Sequence, residues 1–363
     1  MRRSLAFISA IMLLCACVHE EPVIRPVQTR IEGATAFDGG FYLLNEGNMG
    51  SNKCTLDWFD GQSGIYEKNI FGYRNPRVAM ELGDVGNDLK IHRERLYAVI
   101  NCSNLVEVMD AGTAAHIAGI PVPNCRYICF DDDFAYVSSY AGEILSGPAD
   151  RLGCVVKIDL GKMEIVGRCE VGYQPEEMVI SEGRLYVANS GGYMAPDYDD
   201  RVSVIDLESF SLSGHIHVGI NLHRMCLGPD GSIWVSSRGD YGSRKSSVMV
   251  VRDDAVTDTL DVRCNVMTRR GDDLIVYGYD GKNTVFSSVD MRTMEISEGF
   301  IKDGSESRIR TPYGLAANPH TGEILITDAT DYVTPGKLIC YSPDGRKLWS
   351  VTTGDIPSSI AFY

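Results

Sequence analysis

One short pattern returns seven times along this 363-residue chain and narrows the choice of folds more than any other feature. It is an apolar strand with an aromatic or branched residue near its start: Phe41-Tyr-Leu-Leu-Asn45, Leu96-Tyr-Ala-Val-Ile100, Ala135-Tyr-Val-Ser138, Leu185-Tyr-Val-Ala-Asn189, Ile233-Trp-Val-Ser236, Leu274-Ile-Val-Tyr277 and Ile324-Leu-Ile-Thr327. Aligned on Leu43, Ala98, Val137, Val187, Val235, Val276 and Ile326, the copies lie 55, 39, 50, 48, 41 and 50 residues apart. A further strand follows each copy (TLDWFD, LVEVMD, CVVKID, RVSVID, SVMVVR, TVFSSVD, KLICYS), usually ending in Asp at a turn. Short strands repeating at that period, with no capped 3.6-residue apolar stripe, predict four-stranded antiparallel sheets arrayed radially. The fold class expected is all-β, a seven-bladed β-propeller.

The ends of the chain say how the ring closes. The innermost strand of a repeat reads Pro-x-x-apolar-x-apolar, as in Pro175 to Ile180 and Pro312 to Ala317. Pro357-Ser-Ser-Ile-Ala-Phe362 matches that opening and has no second strand after it, whereas Phe41–Asn45 is a second strand with no convincing first strand before it. The C-terminal strand is therefore expected to complete the N-terminal blade, since an open ring would leave unpaired strand edges. The expected domains are a signal peptide over 1–16, a tether over 17–33 kept extended by Pro22 and Pro26, and one propeller over 34–363.

Arg2 and Arg3 precede an apolar run, Leu5 to Leu14, that is too short to span a bilayer and fits a signal-peptide core. The run ends Leu14-Cys15-Ala16-Cys17, which resembles a lipobox with Cys17 as the lipidated residue; an ordinary cleaved signal is the alternative. Val-His-Glu-Glu-Pro behind Cys17 resembles a surface-export signal, so a cell-surface outer-membrane lipoprotein is expected, although Glu20 and Glu21 also suit a solvated linker. Removing residues 1–16 leaves 32 basic and 49 acidic residues, which argues against nucleic acid as a partner and against docking on anionic lipid through a basic surface. Without Cys15 and Cys17, nine of the 11 cysteines remain, an odd number in a chain long enough to bury a core without disulfides. Cys154 and Cys169 are the one pair that would face each other if their hairpin kept simple register.

A propeller begins each first strand and ends each second strand at the same face, and that rule yields a candidate site. Asn87, Asp88, Arg126, Tyr127, Glu176, Glu177, His223, Arg224, Asn265, Tyr313 and Ser358 would ring the central mouth. Loops bearing Asn45, Glu46, Asn101, Tyr140, Asn189, Tyr193, Tyr198, Arg238, Tyr241, Tyr279, Asp280, Asp331 and Tyr332 would surround them. Tyrosine supplies broad contact area at low entropic cost, and loops on a rigid scaffold are where function concentrates.

Three other groupings have residue types that could hold a metal. His215 and His217 share one side of an outer strand, where two solvated histidines are the plainer reading. Asp131-Asp132-Asp133 fits a polar hairpin turn, and Tyr198-Asp199-Asp200 has the oxygen ligands a hard cation would want. No cofactor or resident metal is expected. The chain has no GxSxG elbow, HExxH, CxxC or phosphate-cradling glycine loop, so a non-enzymatic binder is expected. A lactonase-like enzyme built on Glu176, Asp88, Asn265 and His223 is the catalytic alternative.

Phe41-Tyr-Leu-Leu-Asn-Glu-Gly-Asn48, Tyr313-Gly-Leu-Ala-Ala-Asn-Pro and Tyr341-Ser-Pro-Asp-Gly345 resemble the first and last blades of YncE-like, surface-layer-type propeller lipoproteins of Bacteroidota. The blades between show only the general YVTN-type pattern. That group includes BtuG-type proteins, so the resemblance implies capture of a small ligand, a corrinoid such as cobalamin, and its delivery to a TonB-dependent outer-membrane transporter. A module holding a protein or glycan at the same rim is the alternative.

Overall fold

The computed structural model describes residues 25–78, 81–143 and 151–363. Cys17 and the signal segment lie outside the described residues. Seven antiparallel sheets follow one another around a ring, as the repeat predicts. Each blade runs from an innermost strand at the axis to an outermost one at the circumference. Blade two, for example, is Gly86–His92, Arg95–Ile100, Leu105–Asp110 and His116–Pro121.

Burial follows position within the blade. Second strands are covered on both faces by the adjacent blades, so Arg95–Ile100 and Arg184–Asn189 are buried at every residue but the first. That explains why they appear in sequence as continuous apolar runs. Their aromatic residues, Tyr42, Tyr97, Tyr136, Tyr186 and Trp234, are buried between blades, and replacing one with Ala should cost about 3–5 kcal/mol. The fourth strands of blades three and four, Glu164–Glu170 and Ser211–His217, are mostly exposed.

The ring closes as expected. Pro357–Phe362 pairs antiparallel with Gly40–Asn45, placing Phe362 opposite Phe41, Ile360 opposite Leu43 and Pro357 opposite Asn45. The Trp58 indole N–H donates to the Tyr363 hydroxyl at 2.7 Å, and Thr327 donates to the Pro357 carbonyl at 2.6 Å from blade seven. The blades meet closely at this seam: a Cβ on Gly314 would lie 1.9 Å from the Ser358 carbonyl oxygen. Part of the expected tether instead joins the ring. Val27–Arg30 pairs with Ile65–Lys68 as a fifth, outermost strand of blade one.

A bulge corrects the proposed cysteine pair. The register of Cys154–Asp159 against Glu164–Glu170 shifts after Lys157, so Cys154 faces Glu170 while Cys169 faces Val155. A one-residue offset sends side chains to opposite faces, and the two thiols belong to different core clusters and are free.

The C-terminal strand covers the inner edge of Gly40–Asn45. A chain ending at Asp355 should therefore lose its single cooperative thermal transition and its near-UV circular dichroism. Retention of both would show that the closing strand is dispensable.

Candidate functional site

A local irregularity in the innermost strands builds the site. In six of the seven blades the first strand bulges near its start, at the mouth of the ring; Val266–Arg270 of blade six keeps regular pairing. The residues set out of register are Arg126 and Tyr127 in blade three, Glu176 and Glu177 in blade four, and His223 and Arg224 in blade five. Tyr313 and Gly314 occupy this place in blade seven, Asn87 in blade two and Ser358 in blade one. A bulge breaks strand alternation and re-aims side chains, here toward the axis. In three blades a displaced backbone N–H is paired by a side chain. Tyr127, Arg224 and Gly314 donate to the hydroxyls of Ser138, Ser236 and Thr327 on the second strands, at 3.1, 2.8 and 2.6 Å.

These side chains surround an axial cavity of about 600 Å³. Arg126 meets Glu176 through Nε and Nη2 at 3.4 and 3.3 Å. The other Glu176 oxygen accepts from Tyr140 at 2.7 Å and Ser190 at 3.3 Å, and Arg238 stands 3.8 Å from it. Deeper in, Arg224 pairs with Glu177 at 3.0 Å, and Lys90 stands 3.7 Å from Asp88 and 3.9 Å from Glu177.

His223 joins the two levels. Its Nδ1 lies 3.2 Å from the Asn265 carbonyl, which can only accept, so Nδ1 carries the proton and Nε2 accepts from the Tyr127 hydroxyl at 2.8 Å. Burial, reinforced by the charges of Arg238 and Arg224, holds this imidazole well below its ordinary pKa, and it is neutral. Across the mouth Tyr313 donates to Glu46 at 2.5 Å. Burial pushes the Glu46 carboxyl above its ordinary value, against the opposing pull of that hydrogen bond and of Arg126.

The predicted residues separate into four groups. Glu46, Asn87, Asn101, Arg126, Tyr127, Glu177, Tyr193, His223, Arg224, Arg238, Asn265, Tyr313, Tyr332 and Ser358 line the cavity. Glu176 and Tyr140 stand behind them as buried partners. Asn45, Asp88 and Asn189 are fully buried and serve the framework. Asn45 donates to Thr55, and Asn189 bridges Gly172, Arg201 and Ser203. Asp88 accepts from Leu89 and from Ile128 of the next blade.

Tyr241 and Tyr279 stand exposed on the rim with Tyr198 partly covered, while Asp280 and Asp331 accept backbone N–H bonds that shape their own loops. Lys90, Thr268, Arg269 and Tyr277 also line the cavity and escape the sequence rule; the first three lie further down the axis than the strand starts, whereas Tyr277 stands level with one, opposite Val266. Tyr277 carried a signal, a polar aromatic ending an apolar second strand, and its hydroxyl donates to the Tyr313 carbonyl.

The three suggested metal groupings have other partners. The Asp199 carboxylate is held bidentately by Arg201 at 2.8 Å and by the Tyr173 N–H, and Asp200 contacts His217. His215 contacts Ser203, and Asp131–Asp133 spans the turn between the first two strands of blade three.

A family described as "Domain of unknown function (DUF5074)" matches residues 39–340. No curated protein sequence matches the chain. Among solved structures, a quinoprotein alcohol dehydrogenase-like protein from Bacteroides thetaiotaomicron is similar with a TM-score of 0.60 at 16% identity, over 90% of this chain and 78% of that one. Hydrazine synthase of Kuenenia stuttgartiensis is similar over 71% of this chain and 77% of that one, with a TM-score of 0.57 at 15% identity. The Pan2 WD40 domain of Neurospora crassa follows over 77% and 79%, at 0.53 and 9%. At these identities the likeness concerns the fold.

The buried neutral imidazole makes stability depend on pH in a definite sense. Below about pH 6.5 the unfolded chain takes up a proton at His223 that the folded chain refuses, so this contribution is intact above 6.5 and lost as pH falls. The limiting slope is about 1.4 kcal/mol per pH unit. The loss of melting temperature between pH 7.5 and 5.5 should be smaller in His223→Gln than in the parent chain, and equal losses would refute the assignment.

Proposed function

This chain belongs to the family described as Domain of unknown function (DUF5074), and we propose that it is a binding protein, not an enzyme, that holds a small ligand at its axial mouth. The observation that carries this reading is the axial cavity itself. At about 600 Å³ it falls in the size range of small-molecule sites, and bulged strands from separate blades converge on it. Its internal acids and bases are largely committed to one another: Glu176 to Tyr140, Ser190 and Arg126, Glu177 to Arg224, and Tyr127 to His223. Such a network makes a preorganised surface, which favours affinity over turnover.

Around the mouth Tyr193, Tyr241, Tyr279 and Tyr332 stand between 45% and 71% exposed. This aromatic rim suits a ligand wider than the cavity, lying across the opening with polar groups reaching down. A corrinoid meets that description. Its macrocycle would rest on the tyrosines while its amide arms reach Asn87, Asn101 and Asn265. With the lipobox at Cys17, this makes the chain an outer-membrane lipoprotein of the YncE-like, BtuG-type kind, displayed at the cell surface and handing its ligand to a TonB-dependent transporter.

Calorimetry of cyanocobalamin against the chain from residue 18 onward should show one site of micromolar or tighter affinity. Joint replacement of Tyr193 and Tyr332 by Ala should weaken it at least tenfold, about 1.4 kcal/mol. An absence of heat and of any spectral shift would remove the corrinoid, and recovery of a glycan on the immobilised chain would favour the adhesion reading. Cys17→Ala should move the protein from the membrane fraction to the soluble one; unchanged fractionation would exclude the lipid anchor.

A further inference from the structure

Arg126 and Arg238 approach the same carboxylate from different blades. Arg126 comes from the bulged inner strand of blade three, and Arg238 follows the second strand of blade five. Glu176 of blade four lies between them and is 2% exposed at its side chain. Its two oxygens are already engaged by Tyr140, by Ser190 and by both contacts from Arg126. Arg238 has no share in that hydrogen bonding. Its nearest approach to Glu176 is 3.8 Å, and among the described residues its guanidinium makes no hydrogen bond at all. Yet its side chain is three-quarters buried and lines the cavity.

A guanidinium carries five donors in a planar fork that matches an oxyanion, and a largely buried one without acceptors is costly unless something else satisfies it. The other nearby acid at this level, Glu46, is bonded by Tyr313 and biased by burial toward its neutral form. Deeper in, each carboxylate has a cation beside it, Arg224 and Lys90 facing Glu177 and Lys90 facing Asp88, although the buried Arg224 Nε makes no hydrogen bond. At the mouth two guanidiniums, Arg126 and Arg238, share the single carboxylate of Glu176, in a chain whose formal net charge is −15.

We propose that Arg238 and Arg126 form an oxyanion subsite, so that the ligand of the axial cavity carries a phosphate or carboxylate group that docks against their guanidiniums. This rests on the cavity being the ligand site, and does not require the ligand to be a corrinoid. Tyr193 borders the subsite in edge-on contact with the Tyr140 ring, over which Arg126 also lies at 4.9 Å. The anionic group would thus be held at an aromatic wall, with the rest of the ligand extending toward the rim.

Thermal melting at constant ionic strength, with chloride replaced stepwise by inorganic phosphate or by acetate, tests the subsite. A saturable rise in melting temperature with phosphate alone assigns a phosphate-type group, and a rise with acetate alone assigns a carboxylate. Arg238→Gln should weaken the responding anion at least tenfold, Arg238→Lys by less, and Arg292→Gln on the outer surface not at all. Neither anion acting saturably, or an equal response in Arg238→Gln, would overturn the proposal. Cobalamin heat without any anion effect would sink the subsite and leave the cavity reading standing. Saturable phosphate binding without cobalamin heat would keep the subsite and remove only the corrinoid.

Discussion

The bulge at the start of the innermost strands is the constraint on which the rest of this molecule depends. A regular strand alternates its side chains between the two faces of its sheet, and in a propeller both faces are covered by adjacent blades. Arg126, Glu176, His223 and Tyr313 in regular strands would have pointed charge and polarity into apolar interfaces. One extra residue per strand turns them to the axis instead. In blades three, five and seven an orphaned N–H is then answered by Ser138, Ser236 or Thr327, small hydroxyls that fit where the second strand is otherwise apolar. Leaving such donors unpaired would cost about 1–3 kcal/mol each.

The same acids that look like site residues also tie the ring together. Asp88 of blade two accepts the Ile128 N–H of blade three, and Glu177 of blade four accepts the Met225 N–H of blade five. Ser359 of the closing strand donates to Asp88 in turn. The lower channel is therefore a polar seam joining separate blades, in which Lys90 and Arg224 offset the buried carboxylates. There Glu177 and Asp88 each have a cation beside them. At the mouth, by contrast, Arg126 and Arg238 share one carboxylate, Glu176.

How much was legible in the sequence differs between levels. Blade number, ring closure and most of the polar cavity-lining residues follow from the spacing of Leu43, Ala98, Val137 and their counterparts, because short apolar runs bounded by turns at a fixed period admit few arrangements. Asp88, Asn45 and Asn189 sit at site positions in the chain but spend their hydrogen bonds inside the framework, a distinction that spacing does not encode. The cysteine hairpin is similar. Its register depended on a bulge after Lys157 that no turn residue announced.

By itself, the order of residues determined a closed seven-fold ring with polar and aromatic side chains gathered at one end of its axis, because backbone pairing and apolar burial act through local patterns repeated many times. Only the tertiary structure decided which of those side chains face the cavity, which are used up as staples, and that the Arg238 guanidinium makes no hydrogen bond among the described residues. Those outcomes arise from contacts between residues some 40 to 60 positions apart, such as Arg126 with Glu176 and Glu176 with Arg238, whose distances are set by the rigid geometry of neighbouring blades.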